Sequence, residues 1–151
     1  MIEYIKDDIF NTNCDCIAHQ TNCKSKMGSG IAYSVRIRYP NVFASYKKYC
    51  DLLGNKLLGK IQPIECDDVI IVNLFAQDDY GRDKKQYTDY DALDMCLKKL
   101  YDYCEVHNYS LAIPYKIGSN RGGGSWVVVR GMIEKYFKDS YIKCVIYIKE
   151  Y

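Results

Sequence analysis

The chain has 151 residues, of which 48% are apolar and 26% charged, and its net charge is +2. That length supports a single domain over residues 1–151 with a real core, and the near balance of charge gives no global case for nucleic-acid or membrane binding. No apolar run approaches membrane-spanning length and no leader precedes the first strand, so a cytoplasmic protein is expected.

Residues 2–5 read as a short strand, followed by the turn Lys6-Asp7-Asp8 and by Ile9-Phe10. Residues 14–20 read as a second strand, apolar on both faces, which is the pattern of a strand covered on both sides. The spacing of Ile31, Val35 and Tyr39 predicts a helix that Pro40 closes. A second helix runs over residues 40–53 with Phe43, Tyr46, Cys50 and Leu53 at helical spacing and Gly54 as its C-terminal cap. Residues 60–66 form a strand placed at an edge by Pro63. Residues 69–75 are β-branched and uncharged, hence a central strand. Residues 77–86 read as a polar loop. Thr88 or Asp89 caps a helix to about residue 104, with Leu93, Cys96, Leu97, Leu100 and Cys104 on its buried face. Residues 110–113 form a strand, Ser125 caps a helix over 126–137, and 142–148 close the fold as a strand. Alternation of this kind implies the α/β class, with a mixed, mostly parallel sheet of about six strands and helices on both faces.

The eight cysteines are scattered, with no C-x-x-C pair, and are read as reduced core residues. Cys14, Cys16, His19 and Cys23 suggest a metal by composition only. Strand alternation puts Cys14, Cys16 and Ala18 on one face and Ile17 and His19 on the other, so no metal site is expected.

Chemistry concentrates in two glycine-rich loops, each between a strand and a helix. The first runs through Gly28-Ser29-Gly30 and the second through Gly118-Ser119-Asn120-Arg121-Gly122-Gly123-Gly124-Ser125. Unpaired N–H groups at such helix starts favour phosphates, and two loops suggest a ligand with two adjacent ones. A dinucleotide fingerprint fails because Tyr33 occupies the third glycine position, and no G-K-[ST] marks a Walker loop.

The arrangement Lys6-x-Asp8-Ile9, Ala18-His19-x-x-Asn22-Cys23 and Met27-Gly28-Ser29-Gly30-Ile31-Ala32 resembles a macrodomain. So do Asn73-Leu74-Phe75, Tyr87-Thr88-Asp89-Tyr90-x-Ala92-Leu93 and Ile113-Pro114-Tyr115-Lys116-Ile117-Gly118. The resemblance spans essentially the whole chain. It is nearest to the small stand-alone branch of ADP-ribose 1″-phosphate phosphatases and de-ADP-ribosylating enzymes, which has phage-encoded relatives; a viral source would place the protein in the host cytoplasm. It implies a three-layer α/β/α fold and an ADP-ribose cleft. By that resemblance Asp8 accepts a hydrogen bond from the adenine amino group, Ile9 lines the adenine pocket and Tyr147 stacks on the base. Gly28, Ser29, Gly30 and Ile31 cradle one side of the diphosphate, and Ser119, Asn120, Arg121, Gly122 and Gly123 close over the other. Gln20, Ala32, Lys116, Ile117 and Gly118 complete the lining, and Asn22 reaches the distal ribose.

Three residues are expected to carry chemistry. His19, whose type suits acid–base or nucleophilic work near neutrality, is the main candidate for a phosphatase, with orientation of the Asn22 loop as its structural alternative. Asn22 reaches the distal ribose, where the chemistry occurs, and Arg121 offers a guanidinium that recognises an extra phosphate or stabilises a transferred one, or else points to solvent. The lysine–aspartate pair that some relatives use for glycohydrolysis is missing: Ala76-Gln77 stands for the lysine, and the second glycine loop has no carboxylate. The leading expectation is therefore removal of the 1″-phosphate from ADP-ribose 1″-phosphate. The alternatives are a non-catalytic binder of ADP-ribose or an ADP-ribose-derived signal, and a de-ADP-ribosylating hydrolase. No cofactor is expected. The partner is a small-molecule ligand, with no membrane or nucleic acid, and the chain acts as a monomer.

Overall fold

The β-branched runs fold as strands and the helical spacings as helices, in the expected order. The computed structural model describes residues 1–149. The strands are β1 (Ile2–Ile5), β2 (Cys16–Thr21), β3 (Ile61–Glu65), β4 (Ile70–Phe75), β5 (Leu111–Pro114) and β6 (Cys144–Tyr147); the helices are α1 (Gly30–Arg38), α2 (Pro40–Leu53), α3 (Tyr90–His107) and α4 (Trp126–Phe137). Short 3₁₀ turns occupy Ile9–Asn11 and Gly54–Leu57.

The strands form one sheet in the order β1-β6-β5-β2-β4-β3, parallel except for β3 against β4. Pro63, which has no N–H to donate, sits on the edge strand β3. The two-residue period of each strand sorts its side chains between two layers. Cys16 and Ala18 of β2, Ile70, Val72 and Leu74 of β4, and Leu111 and Ile113 of β5 pack under α3 and α4. Ile17, Ile71, Ala112 and Val145 face the other way, with Val35 of α1 and Val42 of α2, and Phe75 packs on Tyr46 of α2. Cys14 is a correction: it precedes β2 and joins the layer of Ile17, not that of Cys16.

Helix ends follow their local chemistry. The Asp89 carboxylate accepts from the Ala92 N–H at 3.0 Å and starts α3, and Gly54 at φ +53° ends α2. Ser125 precedes α4 without a side-chain capping bond; its N–H donates to the Tyr90 hydroxyl instead. The valine run and Gly131 make α4 a poor helix by propensity, yet Val129, Ile133 and Phe137 bury one stripe against the sheet. Each such side chain contributes about 2 kcal/mol, which outweighs the propensity deficit. The eight cysteines are free thiols. Burial pushes Cys23 and Cys96 up to about 12, and a hydrogen bond from Cys104 together with burial raises Cys16, so these sulfurs stay protonated.

Candidate functional site

The chain leaves β2 toward β3 and β4 on one side and returns to β5 on the other, which makes the β2–β5 seam a topological switch point. β2 pairs with β4 along its whole length but with β5 only at Cys16↔Leu111 and Ile17↔Ala112. A cleft of about 580 Å³ opens beyond that short ladder. It runs from Lys149, after β6, to Gln77, Tyr80 and Arg82, after β4. Those strand ends lie three strand spacings apart, about 14 Å.

Most of the expected lining is assembled there. Gln20, Asn22, Gly28, Ser29, Gly30, Ile31 and Ala32 form one wall, and Lys116, Ile117, Gly118, Asn120, Arg121 and Gly122 the other. Ser29 precedes α1 without a side-chain capping bond, so the first N–H groups of that helix face the cleft unclaimed by their own cap. Lys26, Arg82, Lys116, Arg121 and Lys149 line the cleft, and among the described residues no Asp or Glu does.

The walls are held by a clasp among three loops. Gln20 Nε2 donates to Gln77 Oε1 and to Thr88 Oγ1, both at 2.8 Å, and Thr88 Oγ1 donates to the Gly118 carbonyl at 2.7 Å. The Gly122 carbonyl accepts from the N–H groups of Tyr87 and Thr88 at 2.7 and 2.9 Å. Gly122 has no room for a side chain: a Cβ there would lie 2.2 Å from Thr88 Oγ1 and 2.8 Å from both Gln20 Nε2 and the Gly118 carbonyl oxygen. Gln20 Oε1 is buried and has no hydrogen-bond partner among the described residues. A ligand hydroxyl reaching that wall would meet a ready acceptor.

Asn22 lines the cleft, but its side chain folds its own loop. Its Nδ2 donates to the Lys26 carbonyl at 2.9 Å, and its Oδ1 accepts from the Lys24 N–H at 2.9 Å and from the buried Tyr46 hydroxyl at 2.7 Å. The Tyr46 hydroxyl also lies 2.8 Å from the Asn22 carbonyl oxygen. Tyr46→Phe removes the hydroxyl that both oxygens share, leaving Asn22 Oδ1 with the Lys24 N–H, and is expected to cost about 1 kcal/mol, with looser ligand binding as the loop frays. Urea unfolding and calorimetric titration with ADP-ribose measure both.

His19 is a correction. It lies two residues before the end of β2 on the face of Ile17, is fully buried, and does not line the cleft. Its Nε2 is 2.7 Å from Asn73 Oδ1, directly across the β2–β4 ladder, and Asn73 Nδ2 donates to Gln62 Oε1 at 3.0 Å. Burial lowers its pKa to about 4, against which the Asn73 hydrogen bond acts weakly, so the ring is neutral near pH 7. Among the described residues no hydrogen bond joins it to the Asn22 loop; through Asn73 and Gln62 it ties three strands together.

Other expected positions also move. Tyr147 is 6% exposed, packs with Ile9 and Val145, and donates its hydroxyl to Thr12 Oγ1 at 2.9 Å, so its ring is not a free stacking face. Ile9 is buried in the same cluster. Asp8 caps the Ile9–Asn11 turn through the Phe10 N–H and holds Lys149 at 2.9 Å, which places it just behind the cleft's end rather than in its lining. Ser119 is outside the lining with its hydroxyl buried, and Gly123 lines a second cavity instead. His107 is exposed at the end of α3.

The sequence reading missed Tyr80, Gly81 and Arg82, because the loop after β4 carries no periodicity. The signal that could have found them is Thr88: with Gln77 it forms the only isolated bridge of the described residues, and that bridge folds the loop back over the cleft. Among the described residues no group of three His, Cys, Asp or Glu is placed to hold a metal, and no helix is long and apolar enough to cross a membrane.

No family model matches the chain. Among curated proteins it is 30% identical to an ADP-ribose 1″-phosphate phosphatase of Candida glabrata, over 89% of this chain and 92% of the relative. It is 29% identical to one of Saccharomyces cerevisiae, over 81% of this chain and 72% of that protein. Among solved structures it matches the macrodomain of Mycobacterium tuberculosis DarG with a TM-score of 0.83 and 26% identity, covering 97% of both chains.

Proposed function

We propose, for a chain that belongs to the macrodomain family, that it binds ADP-ribose in this cleft and hydrolyses ADP-ribose 1″-phosphate to ADP-ribose and phosphate. The observation that carries the reading is the charge of the cleft: Lys26, Arg82, Lys116 and Arg121 against no lining carboxylate among the described residues. A diphosphate with a terminal monoester brings roughly four negative charges near pH 7 and fits that surplus. The names of the curated relatives support the same substrate.

In this reading the start of α1 and the Gly118–Gly122 turn bracket the diphosphate. Gln20 Oε1 accepts from a ribose hydroxyl, Asn22 acts as a positioning residue that shapes its loop, and Arg121 meets the terminal phosphate. Phosphoryl transfer asks chiefly for positioning and charge stabilisation, which guanidinium and backbone N–H groups supply. His19, neutral and sealed in the sheet, is given no catalytic role.

The test is phosphate release from ADP-ribose 1″-phosphate beside calorimetric binding of ADP-ribose. Release by the wild-type protein is expected, and Arg121→Gln is expected to lower kcat/KM at least about tenfold, the equivalent of one charged hydrogen bond. Tight binding with no release would replace the hydrolase by a binder that holds ADP-ribose without turning it over.

A further inference from the structure

A second cavity, of about 430 Å³, lies between the loops after β4 and β5. Gly81, Arg82, Asn120 and Arg121 line both it and the main cleft, so the two spaces share a wall. Lys84 and Lys85 add two more cations, and Asp83 is the one carboxylate in its lining. Among the described residues Arg82, Lys84 and Arg121 make no ion pair or hydrogen bond, while the Lys85 ammonium lies 4.6 Å from the centre of the Tyr87 ring. Elsewhere Lys24, Lys47, Lys98, Arg130, Lys135 and Lys149 each face a carboxylate. Like charges held together without counter-charge repel one another unless an anion joins them.

The position of the cavity says how that anion arrives. At the far end of the cleft Lys149 is already paired with Asp8. Lys84 and Lys85 lie at the opposite end, behind Arg82 and Arg121 at the shared wall. The rigid link between the loops fixes the cavity's shape: Gly123, at φ +72°, leaves no room for a Cβ, which would lie 2.3 Å from the Lys85 carbonyl oxygen.

We infer that the second cavity is a phosphate subsite: it receives the phosphate monoester carried on the distal ribose of a nucleotide in the cleft, with Arg82 and Arg121 as ligands at its mouth and Lys84 and Lys85 behind them. The inference rests on the cleft holding ADP-ribose as proposed above. It makes Arg82, Lys84 and Lys85 specificity-determining for phosphorylated over unphosphorylated ADP-ribose.

The probe is inorganic phosphate, titrated at constant ionic strength into protein saturated with ADP-ribose. Phosphate is expected to bind the ADP-ribose complex. Arg82→Gln and the double variant Lys84→Gln/Lys85→Gln should each weaken that binding about tenfold, and the double variant, whose lysines line only the second cavity, should change ADP-ribose affinity much less. These side chains are exposed, so an unchanged Tm shows that the variants fold. Phosphate that displaces ADP-ribose, or that binds wild type and variants alike, overturns the subsite. Residue-dependent phosphate binding without release from ADP-ribose 1″-phosphate sinks the hydrolase and leaves the subsite standing; release without such binding does the reverse.

Discussion

Gly122→Ala is expected to abolish tight ADP-ribose binding and to lower Tm by roughly 6–12 °C. The added methyl would sit 2.2 Å from Thr88 Oγ1 and 2.8 Å from Gln20 Nε2, both side chains already fixed by hydrogen bonds. Neither can yield alone. Moving Thr88 breaks its bond to the Gly118 carbonyl, and moving Gln20 breaks its bond to Gln77. Overpacking of this kind costs about 1–3 kcal/mol and each lost hydrogen bond about 1 more, so about 3 kcal/mol in total is expected. Because the clasp joins the walls of the cleft, the loss falls on ligand geometry as much as on stability. Calorimetric titration with ADP-ribose beside thermal unfolding measures both. A variant that melts early but binds normally would mean that the clasp only stabilises the loops.

That clasp also explains why the second glycine loop has no carboxylate at this position. No side chain longer than hydrogen fits at 122, so an acid there would have to open the junction with Gln20 and Thr88. The cleft accordingly works with positive charge and backbone donors. Its glycine loops were legible because the signals are local: a strand end, a glycine turn and a helix start within a dozen residues. The loop after β4 was not legible. Its place over the cleft depends on Gln77 meeting Gln20 and Tyr87 meeting Gly122, contacts between segments far apart in sequence.

The two misplaced aromatic and imidazole rings have a different origin. Alternation along β2 puts His19 on the face of Ile17, and an uncharged strand apolar on both faces is one covered on both sides. Those two readings together bury the imidazole. Residue type pulled the other way, because a histidine beside a glycine loop invites a catalytic role. Tyr147 follows the same logic at the end of β6, where the period-2 pattern carries it into the layer of Val145 rather than into the cleft.

His19 yields the second large effect, and it separates structure from catalysis. With the folded-state pKa lowered to about 4 from 6.5, the unfolded chain takes up the proton first as pH falls. The stability linked to the neutral ring is therefore present above about pH 6.5, falls between pH 6.5 and 4, and levels off once the folded protein protonates. The full loss is about 3 kcal/mol, and about 2 kcal/mol of it is gone by pH 5. His19→Gln can still donate to Asn73 but cannot titrate in this range. Urea unfolding at pH 7 and pH 5 is expected to show the wild-type protein losing about 2 kcal/mol more than the variant. His107 remains in both proteins and drops out of the difference. Phosphate release by His19→Gln is expected to stay within about threefold of wild type, since the buried ring does not line the cleft. A variant that keeps the wild-type pH slope would show that another group titrates. One that folds normally yet loses phosphate release would return His19 to the reaction, through an opening of the sheet that brings the imidazole to the cleft.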